Sequence, residues 1–378
     1  MEINYFLEKI KKFTYDQEEY IELFEAIIES IPDVEIQIMT INSKLAKHEF
    51  IKYDNKNYII WDMNYWKIFE KYLFINYYLY NLQIRKTNPS SCLILTTSLF
   101  LNFLANKFEH FTELSSSYSK DCLLLDYNLP EINEKNPFFQ MIKRDLLIAK
   151  LYTLFHELGH LYFEMNPEYA NENKTAIKQG LGLLKDDIDF FLGEWSRFYP
   201  KLVKQDYLIM IDKVLDNIAY SYFIEELAID VTALINVIDF YNENYDIKIE
   251  NYIPNILSTT FLLGAFNINI DSFSKSIERY APIFYMDEKN IHKRLENANK
   301  ENSISNAKVF WRGSLKYGIE RIQLLKKYNY IDNISSDSLQ IINNHDEIIS
   351  PHIEKFSKEY VSSYAIFKRM LSYYQYKT

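Results

Sequence analysis

The chain has 378 residues, 48% of them hydrophobic, which is enough for one large domain or two smaller ones. Its 42 basic and 52 acidic residues give a net charge of −10, which argues against a general nucleic-acid binder with a basic face. Cys92 and Cys122 are the only cysteines and form no CxxC pair, so a reducing compartment is the simpler interpretation. Glycine and proline are scarce, with 7 and 9 residues, so a mainly helical chain is expected.

Neither the first residues of the chain nor its most apolar segment indicates a membrane protein. The mixed-charge start, residues 1–12, lacks the uncharged core of a signal peptide. The most apolar run, residues 92–105, is interrupted by threonine, serine and asparagine and is too short for a membrane span. A cytoplasmic protein with no membrane partner is therefore predicted.

The first part of the chain predicts a helix and then a small sheet. Residues 1–31 have helical character. Three short segments with strand-like alternation follow, at 34–41, 49–53 and 58–61. The residues at 54–57, Asp-Asn-Lys-Asn, suit a hairpin turn, so an antiparallel sheet is expected. Such a sheet could offer an edge to an extended peptide, or be purely structural.

The rest of the chain predicts helices separated by polar segments. Helical patterns cover residues 64–85, 92–108, 206–235, 308–327 and 353–376. The polar segment 113–137 is predicted to be a loop beside the site. Residues 168–185 contain Gly180 and Gly182, and are read either as a mobile flap or as a plain surface connection.

The motif around which the chain is organised is His156-Glu157-Leu158-Gly159-His160, an HExxH sequence. It lies in an apolar run that predicts a helix from after Pro137 to about Met165. On a helix the two histidines are one turn apart and can reach one metal ion. Glu157 lies on the adjoining face, where it can take a proton from water bound to that ion.

A third metal ligand is expected because catalytic zinc normally takes three protein ligands and one water. The extended HExxHxxGxxH pattern is ruled out, since Phe163 and Asn166 occupy its positions. Glu226 and Asp230 are acidic residues one turn apart in an apolar helix, and a buried cation would explain them. Glu226 could ligate the ion while Asp230 accepts a hydrogen bond from a ligand histidine. Glu225 stays open as an alternative ligand.

These residues resemble the gluzincin group of zinc metallopeptidases. The resemblance rests on the HExxH motif with Glu226 and, four residues later, Asp230. It implies a zincin-like fold, with a sheet above the metal helix and a mainly helical second part. It also implies Zn²⁺ as the cofactor and peptide-bond hydrolysis, with the zinc-bound water as nucleophile and Glu157 as general base. Intracellular bacterial proteases of phage-exclusion systems, which also carry HExxH, are a weaker resemblance.

A donor for the developing oxyanion is also needed. His292 and Arg294 are candidates, because related peptidases often carry a His or Tyr, and sometimes an Arg, downstream in this role. A surface position on a polar helix is the alternative for both residues. His292 is therefore a predicted catalytic residue together with Glu157.

The predicted fold class is α+β, mainly α, in three regions. Residues 1–135 hold an N-terminal helix, the sheet and further helices; residues 136–300 hold the metal-site helices; residues 301–378 form a helical extension packed on the core. The function expected is a zinc-dependent peptidase that cleaves a cytoplasmic protein or peptide. Two alternatives are a conditionally activated protease effector or toxin of a bacterial defence system, and a non-catalytic helical interaction protein. The oligomeric state is not predicted.

Overall fold

A computed structural model describes fifteen ranges or single residues of the chain: 21–29, 31, 35–42, 48–81, 135, 138–189, 204–217, 220–244, 252–260, 262–264, 266–267, 316, 318–320, 322–324 and 327–328. The predicted helices 92–108 and 353–376 and almost all of the predicted loop 113–137 lie outside these residues. The fold is α+β and mainly α, as predicted, with one small sheet near the N-terminus.

The sheet follows helix α1 (Ile21–Glu29) and has three strands, β1 (Ile36–Ile41), β2 (Glu49–Tyr53) and β3 (Lys56–Asp62). Their order is β1-β3-β2. The predicted hairpin is confirmed, because β2 and β3 pair antiparallel. The prediction of an all-antiparallel sheet is wrong, since β3 occupies the centre and pairs in parallel with β1. The sheet is therefore mixed.

The hairpin turn has the backbone that its two residues favour. Asp54 and Asn55 have φ values of 48° and 58°, in the left-handed region. Two consecutive left-handed residues form the turn whose twist matches that of the flanking strands, and Asp and Asn tolerate this backbone better than other side chains. The turn therefore fixes the register in which Phe50 faces Ile59 across the hairpin.

Five longer helices follow the sheet: α2 (Met63–Asn81), α3 (Phe139–Met165), α4 (Pro167–Asp186), α5 (Lys204–Asp216) and α6 (Ser221–Asn244). Shorter helical stretches lie within 253–267. The helical residues 316, 318–320, 322–324 and 327–328 are called the Lys316 segment below. No helix among the described residues is both long enough and apolar enough to cross a membrane.

Helix α4 corrects the prediction of a flap or surface connection over residues 168–185. Pro167 stands in its first turn, where a missing N–H is tolerated. Ala170, Ile177, Leu181 and Leu184 recur at helical spacing and are buried. The segment is thus an amphipathic helix that packs on the body of the protein.

Two hydrophobic clusters meet along α3 and α6. The larger cluster packs the sheet, α1 and α2 against most of α3 and the second half of α6, with Leu324 of the Lys316 segment. The smaller cluster packs α4 and α5 against the end of α3 and the first half of α6, with Ile319. Because α3 and α6 belong to both clusters, their relative position is fixed from two sides.

Candidate metal centre

The structure brings His156, His160 and Glu226 together between α3 and α6. The two imidazole rings, one helical turn apart, have centroids separated by 5.0 Å. Glu226 Oε2 lies 3.7 Å from His156 Nε2, and Glu226 Oε1 lies 3.8 Å from His160 Nε2. One donor atom from each residue lies within 4.8 Å of the others. The three side chains therefore face one common point.

This donor set fits a zinc ion. Ligand atoms around one tetrahedral zinc are about 3.4 Å apart, given bond lengths of about 2.1 Å, so the carboxylate-to-imidazole distances are close to what binding requires. Glu226 Oε1 is buried and has no hydrogen-bond donor among the described residues, which a bound cation would explain. The three side chains are 19%, 27% and 24% exposed, so they are partly accessible to solvent.

Glu225 points away from this centre. Its carboxylate pairs with Lys174 of α4 at 2.9 Å, on a different face of α6. Adjacent residues on a helix project about 100° apart, so only one of the two glutamates can face the histidines. Of the two glutamates, therefore, Glu226 is the one that faces the histidines.

Asp230 lies behind His156, next to the ring nitrogen that faces away from Glu226. His156 Nδ1 is 3.0 Å from Asp230 Oδ1, as expected for a carboxylate that orients a ligand histidine. The Tyr152 hydroxyl also donates to Oδ1, at 2.7 Å. Burial would raise the pKa of Asp230, but Lys316, His156 and Tyr152 together hold it well below its usual value. The carboxylate is therefore ionised and available as an acceptor.

The pKa of His156 is a balance of opposing effects. Burial lowers it, whereas the hydrogen bond to Asp230 and the charges of Asp230, Glu157 and Glu226 raise it above the usual value. The acidic surroundings thus stabilise a positive charge at or beside the His156 ring, either a proton on the imidazole or a metal ion bound to it.

Glu157 is buried against the edge of the sheet. Its Oε2 accepts a hydrogen bond of 2.9 Å from the backbone N–H of Phe50, in β2. Burial raises the pKa of Glu157, and the charges of both histidines and the Phe50 hydrogen bond oppose that rise. A carboxyl group with a raised pKa is a better proton acceptor than an ordinary surface glutamate. The helix and the sheet edge together fix its position.

Two residues of the site were not found from the sequence. Tyr222, one turn before Glu226 on α6, donates a hydrogen bond to Glu226 and is 69% exposed. That hydrogen bond, with partial burial and nearby carboxylates, raises the pKa of Tyr222 to about 12, so the hydroxyl stays protonated at neutral pH. Lys316 contacts Asp230 from a distant part of the chain. The i, i+4 spacing could have indicated Tyr222, whereas no local pattern marks Lys316.

The predicted oxyanion donors His292 and Arg294 lie outside the described residues. Among the other histidines, His48 is part of the aromatic packing above the sheet, with ring centroids 4.6–4.8 Å from those of Trp61, Tyr65 and Trp66. Its Nδ1 accepts a hydrogen bond from the Asp62 N–H. His48 is therefore a structural residue.

No protein-family model matches this chain, and neither a curated protein nor a solved structure is significantly similar to it. The chemistry of the centre is thus argued from the contacts of His156, His160, Glu226 and their neighbours. These contacts bring together three side chains that could hold a metal ion, with the carboxylate of Glu157 beside them.

Proposed function

We propose that the protein is a zinc-dependent peptidase of the HExxH type. The observation that supports this most is the convergence of the donor atoms of His156, His160 and Glu226 within 4.8 Å, next to the buried carboxylate of Glu157. Two imidazoles and a carboxylate that has a buried oxygen without a hydrogen-bond partner among the described residues are a donor set that zinc takes.

Each side chain has a distinct role in this proposal. His156, His160 and Glu226 would hold the ion, and Asp230 would fix the orientation of His156. A zinc ion held there would supply a Lewis acid and would lower the pKa of water towards neutrality. Glu157 accepts the proton lost by the nucleophilic water and delivers it to the leaving amine.

The edge of the sheet beside Glu157 is proposed as the place where a peptide substrate docks. Strand β2 pairs with β3 on one side only among the described strands, and its Phe50 N–H is directed at Glu157. An extended peptide beside β2 would add a strand to the sheet and bring its backbone carbonyl groups next to Glu157. Cytoplasmic proteins or peptides with a locally extended segment are the proposed substrates.

Tyr222 is proposed as the donor to the oxyanion that forms on the attacked carbonyl. Its hydroxyl is protonated at neutral pH, lies within hydrogen-bonding reach of Glu226 and is exposed to an incoming substrate. A donor directed at the developing negative charge stabilises the transition state more than the ground state. In this proposal Tyr222 would have the role that the sequence suggested for His292, which stays a prediction because it lies outside the described residues.

The metal-binding part of the proposal is tested with two adjacent glutamates. Purified protein is assayed for zinc by elemental analysis, and affinity is measured by competition with a chromophoric chelator. We expect about one zinc per chain, with Glu226→Gln lowering the affinity at least about 100-fold because one of three protein ligands is lost. Glu225→Gln is the matched control and should bind zinc normally, since Glu225 pairs with Lys174. Equal effects of both variants would contradict the ligand assignment.

The hydrolytic part is tested with Glu157→Gln. Loss of a general base typically lowers the rate about 10² to 10⁴-fold, so this variant should keep its zinc and lose cleavage of a peptide library. New N-termini in cells that express the wild-type chain, absent with Glu157→Gln, would identify the substrates. Zinc binding without any Glu157-dependent cleavage would favour a non-catalytic interaction protein, and cleavage that needs a second factor would favour a triggered effector.

A further inference from the structure

Lys316 reaches into the metal centre from the C-terminal part of the chain. Its Nζ lies 3.0 Å from Asp230 Oδ1 and donates a hydrogen bond of 2.7 Å to the Tyr152 hydroxyl. The same nitrogen lies 5.0 Å from the centre of the Tyr152 ring. The Lys316 side chain is only 24% exposed, so most of it is removed from water. A cation in this position needs a counter-ion.

Asp230 is that counter-ion. A second carboxyl, that of Glu320, is 4.0 Å from Lys316 Nζ on the next turn of the same segment. Burial raises the pKa of Glu320 to about 8, so its protonated form predominates at neutral pH. The charge of Lys316 is therefore balanced by Asp230, the residue that orients His156.

Three donors converge on a single oxygen. His156 Nδ1 and the Tyr152 hydroxyl, both on α3, and Lys316 Nζ of the Lys316 segment all lie within 3.0 Å of Asp230 Oδ1. An aspartate with one partner can rotate about its side-chain bonds, whereas one held from three directions has a single orientation. The position of Asp230, and through it the imidazole of His156, thus depends on where Lys316 lies.

We propose that Lys316 is a positioning residue of the metal centre, which fixes Asp230 and so sets the orientation of His156 towards the ion. This inference rests on the metal-binding part of the proposed function and does not depend on peptide hydrolysis. It means that high metal affinity requires the Lys316 segment to be docked on α3 and α6. Residues outside the ligand shell often change metal affinity about 10 to 100-fold in this way.

The experiment compares two lysines of the same segment. Lys316→Met is the test, and Lys327→Met is the matched control, because Lys327 pairs with Asp239 of α6 at 2.8 Å but on an exposed surface. Zinc affinity is measured by chelator competition, and the Co²⁺-substituted protein is examined by visible absorption, which reports ligand geometry. We expect Lys316→Met to lower zinc affinity about 10 to 100-fold and to change the Co²⁺ spectrum, while Lys327→Met changes neither.

A double variant keeps the test decisive if Lys316→Met folds poorly. Asp230→Asn with Lys316→Met removes both charges, leaving no unpaired cation. If Lys316 acts through Asp230, this double variant should bind zinc as Asp230→Asn alone does. Wild-type affinity in Lys316→Met, or a further tenfold loss in the double variant, would overturn the inference while leaving the metal centre intact. Failure of the wild-type chain to bind zinc would overturn the metal centre and this inference together.

Discussion

A Cβ atom added to Gly159 would lie 2.8 Å from Cγ2 of Ile229, closer than carbon atoms pack in proteins. Helices α3 and α6 therefore approach each other at a point where no side chain fits on α3. Gly159 directly precedes His160, and Ile229 directly precedes Asp230. The glycine in the HExxH motif thus allows the two helices to come close enough for Glu226 to face the histidines.

Gly159→Ala should accordingly weaken both the fold and the metal centre. Helix propensity alone favours alanine by up to about 1 kcal/mol, so propensity predicts a gain. The clash with Ile229 predicts instead a loss of about 1–3 kcal/mol in the free energy of unfolding, the usual effect of overpacking. Urea denaturation and zinc competition should show both losses.

Gly182→Ala is the control for this prediction. Gly182 is also helical, in α4, but a Cβ there would meet no atom within 4 Å. Its replacement should therefore be neutral or stabilise by up to about 1 kcal/mol. If Gly159→Ala proves as stable as Gly182→Ala and binds zinc equally well, the close approach of α3 and α6 is not what the glycine provides.

Asp230→Asn should destabilise the metal-free protein. The substitution keeps the shape of the side chain but leaves Lys316 without its counter-ion. Breaking a buried ion pair costs about 3–5 kcal/mol, and the lower value applies here because the two side chains are 14% and 24% exposed. Urea denaturation in the presence of a chelator measures this loss. Adding Lys316→Met should recover part of it, and a double variant that is less stable than Asp230→Asn would refute the charge argument.

The parts of the fold that follow local rules could be predicted from the sequence. Helix α3 ends at Met165 because Pro167 has no N–H to continue the helix and disfavours helical backbone at Asn166, whose φ and ψ are −125° and 72°. The hairpin was predictable because Asp54 and Asn55 favour the left-handed backbone of its turn. The parallel pairing of β1 with β3 was not, since no short-range signal specifies which edge of a hairpin a preceding strand joins.

Helix α4 was misread because its glycines resemble those of a flexible segment. Gly180 is instead a contact point, where an added Cβ would lie 3.1 Å from Cδ1 of Ile319. A residue that is small in order to let two segments approach cannot be distinguished, in one sequence, from a residue that is small in order to move. Lys316 was missed for a different reason. Its contact with Tyr152 joins positions 164 residues apart, which no local pattern in the sequence indicates.

Tyr222→Phe should lower turnover without releasing zinc. The substitution removes only the hydroxyl that hydrogen-bonds to Glu226. Removal of one oxyanion donor typically lowers kcat about 10² to 10³-fold, and KM should change little because the donor acts in the transition state. The kcat and KM of the variant and the wild type are measured by steady-state kinetics on a substrate peptide, and their zinc content by a zinc assay. Tyr162→Phe, an exposed tyrosine on α3, is the control. Loss of zinc in step with activity would show that Tyr222 supports the ligand Glu226 instead.

His48 should make the stability of the protein depend on pH below neutrality. Burial lowers the pKa of His48 to about 3, a backbone hydrogen bond partly opposes this, and the charge of Lys150 adds to it. Because the folded pKa lies below the unfolded value of 6.5, the unfolded chain binds the proton first. The contribution of His48 is therefore complete above pH 6.5 and is lost as the pH falls towards 3.

Between pH 7.5 and pH 5 this effect should lower the free energy of unfolding by about 2 kcal/mol. His48→Asn keeps an acceptor for the Asp62 N–H but cannot titrate. The free energy of unfolding, measured by urea denaturation at each pH, should therefore fall less in the variant between these two pH values, by that amount. Its slope against pH should be shallower than that of the wild type. Asp62 on β3 and Lys150 on α3 are the charged neighbours, and both are present in the variant and the wild type alike. Comparing the two slopes therefore isolates the imidazole. Identical slopes would show that His48 gains its proton without unfolding the aromatic cluster around it.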